Sequence, residues 1–190
     1  MSFFIKKEID GLSTSRLVLT RKNPKYAASV LEYLSDFEVR RYLAGYTPVN
    51  LTDIKKNLKA CDSISSWLIY HKEDKKIIGE IDVYRITDNY LAEFGYIMHK
   101  KYWGSGYMLE AAVKALEFAF KILGLGRIRA IIIAENTRSI KLVEKLGFKY
   151  ETFVKEMNFG GRVADANFYS ITPRDFNEAK NNIINNKSKD

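Results

Sequence analysis

The apolar positions of this chain change rhythm several times, and each change predicts an element. Residues 16–20 (Arg-Leu-Val-Leu-Thr) are rich in apolar and β-branched side chains and predict a strand. Asn23-Pro24 then marks the start of a helix over residues 26–34, where Tyr26, Val30 and Leu34 recur every fourth position and share a face. Leu51, Ile54 and Leu58 repeat that pattern after Pro48, with Thr52 and Asp53 near the helix start. Residues 67–70, a charged turn at 72–76 and the run 77–84 have the layout of an antiparallel hairpin, to which 91–98 adds a third strand.

From Ser105 the period becomes helical. Met108, Ala111, Ala112, Ala115, Leu116, Ala119, Ile122 and Leu123 fall largely on one face, and the helix stops at Gly124 and Gly126. Residues 128–134, with Ile131-Ile132-Ile133, predict a central strand. A short helix over 137–146 closes at Gly147, and strands 148–157 and 163–171 flank Gly160-Gly161. The succession predicts an α/β fold, a mixed sheet with helices laid on it. No linker or repeat interrupts it, so residues 1–178 are expected to form one domain, and the asparagine-rich 179–190 a frayed, disordered tail.

Composition narrows the function. With 190 residues, 46% of them apolar, the chain can bury one sizeable core. No apolar run approaches the ~20 residues that cross a bilayer, and the start, Met1 to Glu8, has no stretch suited to a signal peptide, so a cytoplasmic protein without membrane association is expected. Cys61 is the single cysteine and His71 and His99 stand apart, which argues against a metal centre. The net charge of +8 comes from lysines scattered in twos (Lys6-Lys7, Lys55-Lys56, Lys75-Lys76, Lys100-Lys101), which does not point to nucleic acid.

The candidate chemistry lies where a strand runs into Trp103-Gly104-Ser105-Gly106 and then a long helix. Glycines allow left-handed backbone and let amides approach a ligand with no Cβ in the way. The helix start adds unpaired N–H groups and the positive end of a dipole, a setting that favours phosphate or pyrophosphate. Neither Gly-x-x-x-x-Gly-Lys-Ser/Thr nor a Gly-x-Gly-x-x-Gly followed by a ribose-binding acid is present, which disfavours a P-loop or a Rossmann site.

Lys101-Tyr102-Trp103-Gly104-Ser105-Gly106-Tyr107 resembles the coenzyme A loop of the GNAT superfamily of N-acetyltransferases, with Lys101 in the place usually held by Gln or Arg. Residues 136–148, Asn136 to Phe148, are similar to that superfamily's second signature, and 12–19 together with Ala92-Glu93-Phe94-Gly95-Tyr96 look like its RimJ/RimL branch, which acetylates protein N-termini. The resemblance, over about residues 10–175, implies a GNAT-like, mostly antiparallel, twisted sheet flanked by helices, and direct attack of a neutral amine on acetyl-coenzyme A. The acceptor it implies is a protein or peptide N-terminus; a small amine (aminoglycoside, polyamine or amino acid) and a non-catalytic acyl-CoA-binding module are the alternatives. A homodimer is compatible with this reading but leaves no mark in the sequence.

Further roles follow from the resemblance. Tyr102 to Tyr107 would cradle the pyrophosphate. The strand holding Glu93 to Met98 would open by a bulge, with Ile97 and Met98 offering main-chain groups to the pantetheine arm. Glu93 occupies a general-base position, although it could equally be paired with an arginine or lysine, and Glu80 and Asp82 are fallback bases. Asn136 would bridge the cofactor arm, cap the following helix, or both. The tyrosine that many members carry as the acid is Val143 here, so the donor to the sulfur would be Ser139. Trp103 could line the cleft or wedge the helix onto the sheet.

Overall fold

The computed structural model describes residues 12–43, 49–61, 63, 65–88 and 90–187. Eight strands form one sheet: β1 (Leu12–Ser13), β2 (Leu17–Arg21), β3 (Ser66–His71), β4 (Lys76–Thr87), β5 (Leu91–Met98), β6 (Arg127–Ile133), β7 (Lys149–Asn158) and β8 (Val163–Ile171). The helices are α1 (Ala27–Leu34), α2 (Phe37–Arg40), α3 (Leu51–Ala60), α4 (Tyr107–Lys121), α5 (Thr137–Lys145) and α6 (Pro173–Lys187). The strand order is β1-β2-β3-β4-β5-β6-β8-β7. Neighbours are antiparallel except β5 and β6, which run parallel. This is the mixed, mostly antiparallel sheet flanked by helices that the sequence predicts.

Strand alternation sends side chains to two cores, one on each face. Trp67, Ile69, Ile81, Val83, Ala92 and Phe94 meet α4. Its alanines at 111, 112, 115 and 119 are fully buried and let the helix backbone lie close to the sheet. Phe118 fills the remaining space edge-on to Trp67, at 5.3 Å between ring centroids. On the opposite face Leu68 and Ile77 pack under Val30, Tyr33 and Leu34 of α1 and Ile54 and Leu58 of α3. The apolar repeats that predict the two early helices are thus the residues that bury them.

Three features depart from expectation. The two-residue β1 and the one-turn α2 are too short to carry a period. The stretch expected to fray from 179 is helical to Lys187, while 188–190 lie outside the described residues. Its asparagines are weak helix formers, but packing of the first turns overrides them. The Thr172 amide donates to Asp175 Oδ2 at 3.1 Å, Phe176 is buried against Phe120, and Lys180 is ion-paired with Glu117. The third departure is the bulge, which lies in β4: Tyr84 opposes Glu93 and Thr87 opposes Leu91, leaving Arg85 and Ile86 against Ala92 alone. Arg85 takes φ 50 there.

Candidate active site

Beta strands β5 and β6 pair for three residues each, Leu91–Glu93 with Arg127–Arg129, and then part. The gap between Phe94–Met98 and Ala130–Ile133 is the floor of a cleft of about 1010 Å³. Splaying of two parallel strands, rather than the expected bulge in β5, exposes the strand edge. The Ile97 carbonyl faces β4, where a Cβ on Gly79 would collide with it. Successive residues of a strand turn their amide groups to opposite sides, so the groups facing the cleft belong to Tyr96 and Met98. Of the two residues expected to offer them, Met98 turns its main-chain groups to the cleft and Ile97 turns its own to β4; the Met98 carbonyl is engaged by the Trp103 indole N–H at 2.8 Å.

At one end of the cleft the chain makes a 3-10 turn (Lys100–Tyr102) and enters α4 through two left-handed glycines, Gly104 at φ +78 and Gly106 at φ +76. An L side chain is strained in that region, which explains the glycines. Gly106 is the N-cap and offers no side-chain cap, and the Glu110 amide already closes the first turn on the Gly106 carbonyl at 3.1 Å. The amides ahead of it are those a helix leaves without internal partners. The segment therefore fits a pyrophosphate: open backbone, free donors and a positive dipole end.

The side chains around this turn divide between lining and support. Tyr102, Trp103, Gly104, Gly106 and Tyr107 line the cleft; Lys101 and Ser105 do not. Lys101 extends over the Tyr102 ring, 5.7 Å from its centroid. The Ser105 carbonyl accepts Arg16 Nη1 at 3.0 Å. Tyr102 is buried and donates to Asp74. Trp103 lines the cleft under the Arg138 guanidinium, 3.8 Å above its ring, and packs against both cores.

Across the cleft Asn136 caps α5, its Oδ1 accepting the Ser139 amide at 3.2 Å. Ser139 lines the cleft with its Oγ 2.6 Å from the Tyr96 hydroxyl. Burial pushes the Tyr96 phenol well above the ordinary tyrosine range, its bond to Ser139 opposing only in part. Val143, where the usual acid would stand, is fully buried in the core beneath α5. Sequence reasoning gave Tyr96 no role; its signal was only its place in the Ala92–Tyr96 motif.

The structure does not bring Glu93 into the cleft lining. Its carboxylate is buried, with Oε2 accepting from Arg85 and Oε1 from Arg129, both at 3.0 Å. The pairing alternative is realised, because the β4 bulge turns Arg85 over the sheet and the parallel register sets Arg129 beside Glu93. Glu80 and Asp82, on the same face one strand away, do line the cleft. Lys22 Nζ lies 2.8 Å from Glu80 and 3.0 Å from Asp82. Burial holds the Glu80 carboxyl above the usual carboxylate range, with Lys22 opposing and Asp82 reinforcing. Desolvation would lower Lys22, but the two carboxylates outweigh it and keep the ammonium charged. Among the described residues no cluster of His, Cys, Asp and Glu could hold a metal ion.

The sequence matches the Acetyltransferase (GNAT) domain family over residues 16–149. It is 31% identical over 179 residues to the uncharacterized N-acetyltransferase p20 of Bacillus licheniformis, covering 88% of this chain and 99% of that protein. It is 30% identical over 108 residues to the spermidine N(1)-acetyltransferase of Vibrio cholerae, covering 55% and 61%. The crystal structure of ribosomal-protein-S5-alanine acetyltransferase from Vibrio fischeri superposes with a TM-score of 0.73 at 21% identity, over 86% of this chain and 97% of that one. Together with the parted strands and the glycine turn, these matches make the chain an acetyltransferase of the GNAT family.

Proposed function

We propose that this protein transfers the acetyl group of acetyl-coenzyme A to the N-terminal amine of a protein or peptide, in the manner of the RimJ/RimL branch, by direct attack within a ternary complex. The observation that carries the reading is the parting of β5 and β6 beside the Gly104–Gly106 turn. It leaves one channel with an anion cradle at one end and, along its floor, strand groups that β6 does not pair, as an extended, phosphate-bearing thioester requires. The likeness to a ribosomal-protein acetyltransferase supports a protein acceptor.

In this reading an ammonium arriving from the α1 side meets Glu80 and Asp82, whose two carboxylates outnumber Lys22, and gives one of them its proton. The neutral amine then forms a C–N bond to the acetyl carbon, the C–S bond breaks, and the proton that the acylated nitrogen sheds reaches the thiolate by way of the Ser139 hydroxyl, which gives its own proton and takes that one. Glu93, held between two guanidiniums outside the cleft lining, shapes the neighbouring floor. Localisation in the cytoplasm is proposed from the same reading.

A thiol-release assay with acetyl-coenzyme A tests it against peptides of varied N-terminal residue and a panel of small amines. Turnover highest with peptide N-termini is expected. Preference for spermidine or another small amine would move the acceptor to that class, and coenzyme A binding without turnover on either panel would reduce the protein to a binding module.

A further inference from the structure

Arg16 immediately precedes β2, within the run 12–19 and outside both the glycine turn and the 136–148 segment. Its guanidinium reaches across to the start of α4. Nε donates to Glu110 Oε2 at 2.7 Å and Nη1 to the Ser105 carbonyl at 3.0 Å. The guanidinium carbon lies 4.2 Å from the centroid of the Tyr107 ring, and Nη2 would be 3.6 Å from a Cβ on Gly106. Three sides of the pyrophosphate turn are thus touched by one side chain: its carbonyl at 105, its left-handed glycine at 106 and its first helical residue.

Electrostatics makes the placement informative. A cation at the N-terminal end of a 15-residue helix faces the positive end of the dipole, where basic side chains are disfavoured. Glu110 offsets part of that, but its carboxylate is shared: Oε1 also accepts from the Thr14 hydroxyl, the Ser15 hydroxyl and the Arg16 amide. A scaffold that needed only a tie between β2 and α4 could have used neutral donors. The guanidinium becomes favourable when a dianionic group occupies the turn, because the added negative charge offsets its repulsion from the positive end of the helix dipole. The side chain is 41% exposed and stands beside the turn, outside the cleft lining, so it acts through the Ser105 carbonyl and through its charge.

We infer that Arg16 is a positioning residue for the pyrophosphate of acetyl-coenzyme A: it holds the Ser105–Gly106 peptide in its phosphate-facing orientation through the bond to the Ser105 carbonyl and sets a positive charge beside the turn. The inference rests on the proposed use of acetyl-coenzyme A. Its test uses cofactor fragments, since S-acetylpantetheine carries the thioester and arm but no pyrophosphate. In wild-type protein, calorimetry is expected to give tighter binding of coenzyme A than of pantetheine. Arg16→Met should lower coenzyme A affinity about tenfold or more while pantetheine affinity moves less than twofold, and should cut the preference for acetyl-coenzyme A over S-acetylpantetheine in kcat/KM by the same factor. Arg16→Lys keeps the charge but cannot make the two-pronged grip on Glu110 and Ser105, so it should fall between, and it serves if the methionine variant folds poorly. Equal losses with both ligands, or no loss with coenzyme A, would overturn the inference while leaving the acetyltransferase reading intact. Wild-type protein that binds neither ligand would remove that reading and this inference with it.

Discussion

The Tyr96 hydroxyl and Ser139 Oγ, contributed by β5 and α5 from opposite walls of the cleft, stand 2.6 Å apart. Burial keeps the phenol protonated far above neutral pH, so both hydroxyls carry a proton and either can donate; with Tyr96 donating, Ser139 has its own O–H to give. The Asn136 cap fixes the serine's main chain at the same time. With Val143 sealed in the core, this pair supplies the only hydroxyl donors that β5 and α5 bring to one point of the cleft among the described residues. Ser139→Ala should therefore lower kcat by about 100-fold, the lower end for a lost acid, and Tyr96→Phe by about tenfold. Neither should change the affinity for coenzyme A more than twofold, a split that steady-state kinetics and calorimetry read together.

Glu80 and Glu93 make opposite predictions for activity although they lie on one face of adjacent strands. Removing the charge of Glu93 leaves Arg85 and Arg129 without their shared partner, a loss of about 1–3 kcal/mol after discounting for the exposure of Arg85. Glu93→Gln should lower the melting temperature while kcat/KM stays within about fivefold. Glu80→Gln leaves buried Lys22 with Asp82 alone and should also lower the melting temperature, but here kcat/KM should fall about 100-fold, because the group it alters faces the cleft. The acidic limb of the wild-type pH–rate profile should also reflect a carboxyl held above its ordinary range, and should move in Glu80→Gln but not in Glu93→Gln.

Period and punctuation made most of this fold legible, since Tyr26, Val30 and Leu34, or the alanines of α4, are spaced by the same geometry that buries them. Gly104 and Gly106 were legible as well, because few other residues tolerate the conformation the turn needs. What escaped was set by tertiary register. Whether Glu93 meets an arginine or the cleft depends on Arg129 lying opposite it in β6 and on a bulge 8 residues away at Arg85, neither of which leaves a periodic trace. The same holds for α6: its helix is made by Phe176 and Lys180 finding α4, not by its own asparagines.

Glu110 should give the protein an acid-sensitive stability component. Its carboxyl lies below its ordinary 4.5: burial alone would raise it, but the bonds from Thr14 and Arg16 and the arginine's charge outweigh that. A carboxylate with a depressed folded-state value stabilises the fold fully above its unfolded value and loses that contribution as pH falls through the folded one. Melting temperature should therefore drop on acidification below about pH 4.5, and the drop should be shallower in Glu110→Gln than in wild type. The variant should also start from a lower value at pH 7, which thermal melts across pH 3–7 would show.

Two glycines separate strain from collision. Gly104 sits at φ +78 with open space where a Cβ would be, so Gly104→Ala costs only the left-handed conformation, about 1–2 kcal/mol, and the turn can relieve it by reshaping. Reshaping misaligns the amides at the head of α4, so the variant should melt close to wild type but show KM for acetyl-coenzyme A raised about tenfold. Gly79 has an ordinary backbone, yet a Cβ there would strike the Ile97 carbonyl and lie 3.1 Å from Met98 Cα, both main-chain atoms that cannot swing aside. Gly79→Ala should therefore push β5 away from β4 and destabilise the fold by about 1–3 kcal/mol. Because Tyr96 and Met98 ride on the displaced strand, its kcat should fall too, so the two alanine variants should differ in which constant changes, KM at the turn and kcat at the strand.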